Sequence, residues 1–496
     1  MSIHAPILRT LLAHPTRVAV VDDTRTYKGY ELIVGAMHLA SALAPVCKSD
    51  TLGILLPTSG AFPITALAAW MLGKTIVPLN YLLKPSELQY VVDDCGTDTI
   101  VSVGPMLEHL GEAPEVANLL KLDEVSFKGM PRPRWPRGAS GSRVAALLYT
   151  SGTSGRPKGV MLTHANLLAN LRQCRIGVGC GPRDTIFGVL PQFHSFGMTV
   201  LTIMPLATGA RAVYAARFVP QRVVGAIREH RPTIMVAIPS MYNAMLQVKK
   251  AEPDDFTSFR MMVSGGEPLP RDVATRFQER FGVRLCEGFG LTETSPVTNI
   301  CRPAEYRPGS VGPPLPDVRE RIVDLATGGD LPAGEEGELR IKGPNVMKGY
   351  FNLPELTAEV FDEHGYFRTG DMAKLDADQH LYITGRIKEM LIVGGENVFP
   401  REIEEVINDH PSVHASGVVG ESDPMRGEVP VAFVEAEPGA TIDEQALLRH
   451  CRDRLAGYKV PRRVIVLESL PRNPTGKILR RELTAMLDSS RDAAAG

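Results

Sequence analysis

No two of the seven cysteines (Cys47, Cys95, Cys174, Cys180, Cys286, Cys301, Cys451) stand in Cys-x-x-Cys spacing, and their number is odd. That excludes a zinc knuckle and a disulfide framework, and it fits a reducing compartment. Excess charge of either sign is also lacking: 54 basic and 56 acidic residues leave a net charge of -2. Bulk electrostatics therefore favour neither nucleic acid nor an anionic membrane as partner. The most apolar stretch, 52–83, is interrupted by Pro57, Gly60, Pro63, Gly73, Lys74 and Pro78, so it cannot form one spanning helix. Residues 1–15 hold two histidines, two prolines and no sustained apolar segment, which makes a poor signal peptide. A cytoplasmic protein without a transmembrane segment is expected.

What is present is a chain long enough for several cores. At 496 residues it exceeds the roughly 250 to 300 residues at which one core stops growing, and 44% hydrophobic residues can fill more than one. Apolar β-rich runs alternate with helical stretches: strand 52–56, helix 63–72, strand 75–79, amphipathic helix 85–93, strand 99–103. This is a βαβ rhythm. It returns with a helix at 165–172 and strands at 184–190 and 234–238. The basic, proline-rich segment 123–142 reads as an exposed connection. Beyond 317, glycine-rich turns at 328–329 and 334–337 predict hairpins. A second unit starts near Gly385, with helix 401–409, strands 415–419 and 429–435, helix 444–455, and a tail turning polar at Asp488. The expected fold is α/β: a large domain, 1–384, of mixed sheets with flanking helices and a β-rich subdomain, then a small mobile α+β domain, 385–496. No internal repeat is evident.

The richest chemistry lies at 147–160, Leu-Leu-Tyr-Thr-Ser-Gly-Thr-Ser-Gly-Arg-Pro-Lys-Gly-Val. Glycines let the backbone approach an anion, amide N–H groups and hydroxyls donate to phosphate oxygens, and Lys158 adds a mobile positive charge. No Gly-Lys-Ser/Thr follows at the required spacing, so a P-loop ATPase is disfavoured. Alone, such a run could be an ordinary flexible Gly/Ser loop.

Four further runs follow in order. His194 stands between aromatics in Gln192-Phe193-His194-Ser195-Phe196-Gly197; a lone histidine of this kind is more often a core residue than a catalyst. Val263-Ser264-Gly265-Gly266-Glu267-Pro268 ends a strand in a glycine turn, against which a flat ring can lie. In Gly288-Phe289-Gly290-Leu291-Thr292-Glu293 an aromatic ring, a hydroxyl and a carboxylate are close together, suited to a base, a phosphate and Mg2+. Tyr366-Phe367-Arg368-Thr369-Gly370-Asp371 places a carboxylate where it could accept ribose hydroxyls.

The order of these motifs resembles the adenylate-forming superfamily of acyl-CoA synthetases, luciferases and peptide-synthetase adenylation domains. The resemblance extends through Gly385-Arg386-Ile387-Lys388 to Gly394-Gly395-Glu396-Asn397 and Pro471-Arg472-Asn473-Pro474-Thr475-Gly476-Lys477, and so covers nearly the whole chain. It implies that Thr150, Ser151, Gly152, Thr153, Ser154 and Lys158 grip the β- and γ-phosphates of ATP. It implies further that Gly265, Gly266, Glu267, Phe289 and Gly290 frame the adenine, Thr292 bonds the α-phosphate, Glu293 binds Mg2+, and Asp371 and Arg386 hold the ribose. Lys477 would sit between carboxylate and α-phosphate during adenylation, Lys388 would be the hinge of the small domain, and Gly395 would line a pantetheine tunnel. Phe289 departs from the tyrosine common in the family: stacking is kept and a phenolic hydrogen bond is lost.

Amino-acid-activating relatives usually carry an aspartate near His194. The run 193–201 holds none, so an apolar acid is favoured over one with an ammonium group, whose unpaired burial would be costly. Met198, Leu201, Met204, Met235, Ala237, Ile238 and Met241 are candidates to line a flexible apolar tunnel, although each is equally suited to core packing. The segment 193–206 looks most like fatty-acid-activating members. The expected activity is ATP-dependent formation of an acyl-adenylate from a medium- or long-chain fatty acid, then transfer to CoA. An acyl carrier protein as acceptor, an aryl or short-chain acid, and a silent acyl- or nucleotide-binding protein are the alternatives. Arg452, Arg454, Arg462, Arg463, Arg480 and Arg481 could meet CoA phosphates or an acidic carrier, or simply form a solvated face. Oligomeric state is not legible.

Overall fold

The computed structural model describes residues 1–131, 133, 136–151, 156–472 and 478–495. Its large part contains three sheets. The seven-stranded sheet runs in the order Gly349–Tyr350, Pro157–Thr163, Val144–Ser151, Thr75–Pro78, Thr51–Ile54, Thr99–Ser102, Asn118–Lys121. Its centre is parallel, as helices Ala61–Met71 and Pro85–Cys95 between strands require. Phe62 to Met71 is buried at every position, which suits a helix that is apolar all round. The indole N–H of Trp70 in that helix donates to the Ala145 carbonyl at 2.9 Å.

The eight-stranded sheet runs Val297–Ile300, Leu285–Gly290, Met261–Ser264, Ile234–Ala237, Thr185–Gly188, Arg211–Tyr214, Val18–Val21, Thr26–Lys28. It is parallel except at its two edges. The hairpins expected beyond 317 form a four-stranded antiparallel sheet of Arg319–Val323, Gly337–Lys342, Phe367–Leu375 and Leu381–Arg386. One continuous apolar core joins all three sheets, with Ile54, Ile186 and Ile341 among its members.

Past the turn Ile387–Glu389 the chain forms a five-stranded sheet built on the long pair Val413–Asp423 and Gly427–Ala436. Helices Pro400–Asn408 and Glu444–Arg452 cover it with a separate apolar core. The tail contains a helix, Arg480–Ala495, that buries Leu483 and Leu487, four residues apart on one face. No helix among the described residues is long and apolar enough to cross a membrane. All seven cysteines are free and buried.

Candidate functional site

Strands Val144–Ser151 and Pro157–Thr163 form an antiparallel hairpin in which Thr150 stands opposite Lys158 and Ser151 opposite Pro157. Gly152, Thr153 and Ser154 at its tip lie outside the described residues, as does Lys477. The base of the hairpin is anchored: the Tyr149 hydroxyl donates to the Asp94 carboxylate, and Gly159 is enclosed by Leu147, Tyr149 and Phe351.

Lys158 Nζ lies 5.7 Å from the centroid of the Tyr350 ring, and the Tyr350 hydroxyl donates to Glu293 Oε1 at 2.9 Å. Glu293 belongs to the 3-10 turn Thr292–Thr294. In that turn the Thr292 hydroxyl is 3.4 Å from that of Ser195. Loop cation, carboxylate, threonine and the histidine-bearing segment are thus linked by direct contacts.

Phe289 and Gly290 end the strand leading into this turn. Gly290 has no room for a side chain, since a Cβ there would lie 2.2 Å from the Pro296 carbonyl oxygen. Gly265, from the neighbouring strand end, faces the Phe196 ring edge and the Gly288 carbonyl, and Gly266 has a φ of 85°. Glu267 follows, half-buried, on the same turn. Backbone without side chains at these positions is a surface against which a flat ring can lie.

Asp371 and Arg386 sit opposite each other on neighbouring strands, with Arg386 Nε 2.9 Å from Asp371 Oδ1. Lys388, in the turn that follows, has its pKa lowered by burial and by the charges of Lys158 and Arg386. Loop, ribose-type pair and turn therefore share one electropositive neighbourhood, the setting in which a polyphosphate is held. Gly394 and Gly395, with φ of 63° and 88°, make the tight turn between strands Leu391–Val393 and Glu396–Val398. Two consecutive positive φ values are what a two-residue hairpin of this kind demands. Glycine at 395 is thus required by the backbone, quite apart from any tunnel.

His194 is exposed to solvent at the N-terminal end of the short helix Ser195–Met198. Burial lowers its pKa, leaving the imidazole neutral at pH 7. It is not the hydrogen-bonded core histidine that its aromatic neighbours suggest. Behind the adjacent Phe196 lies a closed slot lined by apolar side chains and Gly288, including Cys174, Val200, Met204, Val236 and Leu315. Its free volume is about 20 Å³, room for about one water molecule, so a ligand must displace its walls.

Of the tunnel candidates read from the sequence, Met204 alone lines this slot. Met235, Ala237 and Met241 pack into the core on the other side of the sheet, because successive strand residues point to opposite faces; Ile234 and Val236 are the ones that face the slot. Met198 and Leu201 are in the main core. Within the arginine cluster, Arg462 pairs with Asp423, Arg463 with Glu421, and Arg480 with Glu389 and Glu404.

Tyr350 was not foreseen. It lies in the two-residue strand Gly349–Tyr350, inside a run of glycine, proline and asparagine that reads as a turn. The one available signal was a large aromatic at a site composition marks as exposed.

As for a metal, no cluster of three or more ligating side chains exists among the described residues. Glu293 offers a single carboxylate. That is too little for a resident ion but fits Mg2+ held chiefly by substrate phosphates and water.

Comparison with known proteins agrees with this geometry. The family model for AMP-binding enzymes matches residues 8–351, and that for the AMP-binding enzyme C-terminal domain matches 402–477. The chain is 35% identical to a feruloyl-CoA synthase of Amycolatopsis sp, covering 96% of this chain and 97% of the other. It is 31% identical to the long-chain-fatty-acid–CoA ligase of Bacillus subtilis, with 95% and 91% covered. The crystal structure of the anthranilate CoA ligase AuaEII with anthranoyl-AMP superposes with a TM-score of 0.90 at 28% identity, over 99% of this chain and 98% of that one. The chain belongs to the family of AMP-binding enzymes. Its relatives place it among the ATP-dependent acid–CoA ligases of the adenylate-forming type.

Proposed function

We propose that the acid activated by this ligase has an uncharged, apolar tail, that a medium- or long-chain fatty acid is the preferred class, and that CoA supplies the acceptor thiol. The observation that carries this reading is the slot behind Phe196, whose lining exposes no polar surface. A second charge on the substrate would be buried there without a partner, at a penalty of several kcal/mol in order of magnitude. An alkyl tail instead gains about 0.8 kcal/mol for each methylene buried. Met204 and Met261, both on the wall, can adjust to a chain that displaces them.

The chemistry follows from charge. A carboxylate oxygen attacks the α-phosphorus of ATP, the bond to the pyrophosphate oxygen breaks, and an acyl-adenylate forms. Both reactants are anions, so cations must be fixed around them before they meet. Lys158 and the loop hydroxyls would hold the departing pyrophosphate, Thr292 the α-phosphate, and Asp371 with Arg386 the ribose. When bound, Mg2+ supplies charge neutralisation on the phosphates, held by Glu293. Lys477 would stand where carboxylate and phosphate meet. In the second step a thiol sulfur attacks the acyl carbonyl and AMP leaves. Movement about Lys388 would bring Gly395 to the thiol path.

A second reading, an aryl acid without polar substituents, is favoured by the Phe196 ring on the slot wall, against which a flat ring can pack. Thioester formation with CoA across octanoate to hexadecanoate, benzoate, cinnamate, ferulate and malonate separates the readings. The fatty-acid reading expects kcat/KM to rise about fourfold per added methylene, the factor that 0.8 kcal/mol represents, until the slot is filled. A maximum at cinnamate with weak alkyl turnover supports the aryl reading, and a preference for malonate contradicts both.

A further inference from the structure

We propose that Tyr350 is a positioning residue that fixes the rotamer of Glu293 and locks the metal-facing turn to the phosphate-gripping hairpin. The proposal rests on the reading of Glu293 as the carboxylate that meets Mg2+. Tyr350 is buried, with 8% of its surface exposed, and its hydroxyl donates to Glu293 Oε1 at 2.9 Å. With Oε1 engaged, the carboxylate cannot rotate freely.

The tyrosine belongs to a strap that fastens the same turn repeatedly. Met347 N donates to the Glu293 carbonyl at 2.7 Å, Asn345 Nδ2 to the Thr294 carbonyl at 2.9 Å, and the Ser295 hydroxyl to the Asn345 carbonyl at 2.8 Å. On its other side the strap is bound to the hairpin. Tyr350 pairs with Val160, Lys348 N donates to the Met161 carbonyl at 3.0 Å, and Phe351 N to the Gly159 carbonyl at 2.7 Å. The Tyr350 ring lies within reach of the Lys158 ammonium. One side chain therefore touches the cation of the loop through its face and the carboxylate of the turn through its hydroxyl. A metal bridging phosphates needs those two groups at a fixed separation, since a misplaced charge stabilises poorly.

The test is ATP binding by calorimetry with and without MgCl2, on wild type, Tyr350→Phe, Tyr350→Leu and Glu293→Gln, with thermal unfolding of each. Tyr350→Phe keeps the ring and is expected to unfold like wild type and to bind metal-free ATP equally well. Its affinity gain on adding Mg2+ should shrink about tenfold, the worth of one hydrogen bond to a charged group. Tyr350→Leu should in addition weaken metal-free ATP binding, through Lys158. If Tyr350→Phe shows the wild-type Mg2+ gain while Glu293→Gln loses it, the positioning role is wrong and the role of Glu293 stands. If Glu293→Gln keeps the gain, both fall.

Discussion

Arg386 reaches across from one antiparallel strand to the buried carboxylate of Asp371 on the next, Nε to Oδ1 at 2.9 Å. The Asp371 side chain is 2% exposed and that of Arg386 is 47% exposed. The pair is therefore a buried anion steered by a half-open cation. In the proposed function Asp371 supplies the oxygens that the ribose hydroxyls meet.

Arg386→Ala should raise the KM for ATP by roughly one to two orders of magnitude, the range of a hydrogen bond to a charged group. Arg386→Lys should recover only part, because a lysine lacks the planar fork. Steady-state kinetics with ATP varied at saturating acid check this. Equal KM values for all three proteins would remove the pair from nucleotide binding.

Leu315 and Cys174 are on the wall of the slot behind Phe196, which the proposed function gives to the acyl tail. Leu315→Ala should lengthen the preferred chain, while lowering stability by about 2 to 5 kcal/mol as a buried leucine truncation does. A chain-length series for thioester formation, paired with denaturant unfolding, measures both. An unchanged length optimum in a folded variant would place the tail elsewhere.

Glu320 gives a pH prediction. Its Oε1 is closed off from solvent and has no hydrogen-bond partner among the described residues, and Asn299 Nδ2 is 3.3 Å from the other oxygen. Burial pushes its pKa up from 4.5 to about 8. A raised folded-state pKa means the folded chain holds a proton that the unfolded chain releases. The stabilisation is complete below pH 4.5, declines as the pH rises toward about 8 and is lost above it. Glu320→Gln should therefore gain stability relative to wild type on going from pH 5 to pH 8. Midpoints of thermal unfolding across that range check the sign, and parallel curves would show that Glu320 does not titrate in this window.

The two half-reactions should separate by mutation. Lys477→Ala is expected to slow adenylation about 100- to 1,000-fold, the loss of one preorganised electrostatic donor, with transfer from preformed acyl-adenylate to CoA largely kept. Lys388→Pro should do the reverse, because a proline cannot absorb a change in φ. Single-turnover assays of each step decide it. If both variants lose both steps alike, a hinge at Lys388 is not supported.

How much could be read without coordinates depended on the kind of signal. The strands at Thr51–Ile54, Thr75–Pro78 and Thr99–Ser102 were legible because each is a short apolar run bounded by turn residues. The runs holding Thr292 and Asp371 draw notice because hydroxyls, carboxylates and glycines cluster in them, whereas Arg386 entered only through the family resemblance. The slot was not. In Ile234–Ala237 all four residues are apolar and buried, so no polar alternation shows which pair faces the cavity. Cys174 and Leu315 reach the same slot from segments 141 residues apart, a distance set by the fold. Tyr350 acts through Glu293 across 57 residues of chain, and no local pattern announces such a pair. Leu483 and Leu487 precede Asp488, where the tail turns polar, and two leucines four apart are too few to announce a helix.

The central claim is acid-dependent adenylation in the absence of thiol. Exchange of labelled pyrophosphate into ATP, measured without CoA in the presence of medium- and long-chain fatty acids, tests it most directly. The account predicts exchange that requires the acid and vanishes in Lys477→Ala. No exchange with any acid of octanoate length or longer, from folded protein that binds ATP, would contradict it.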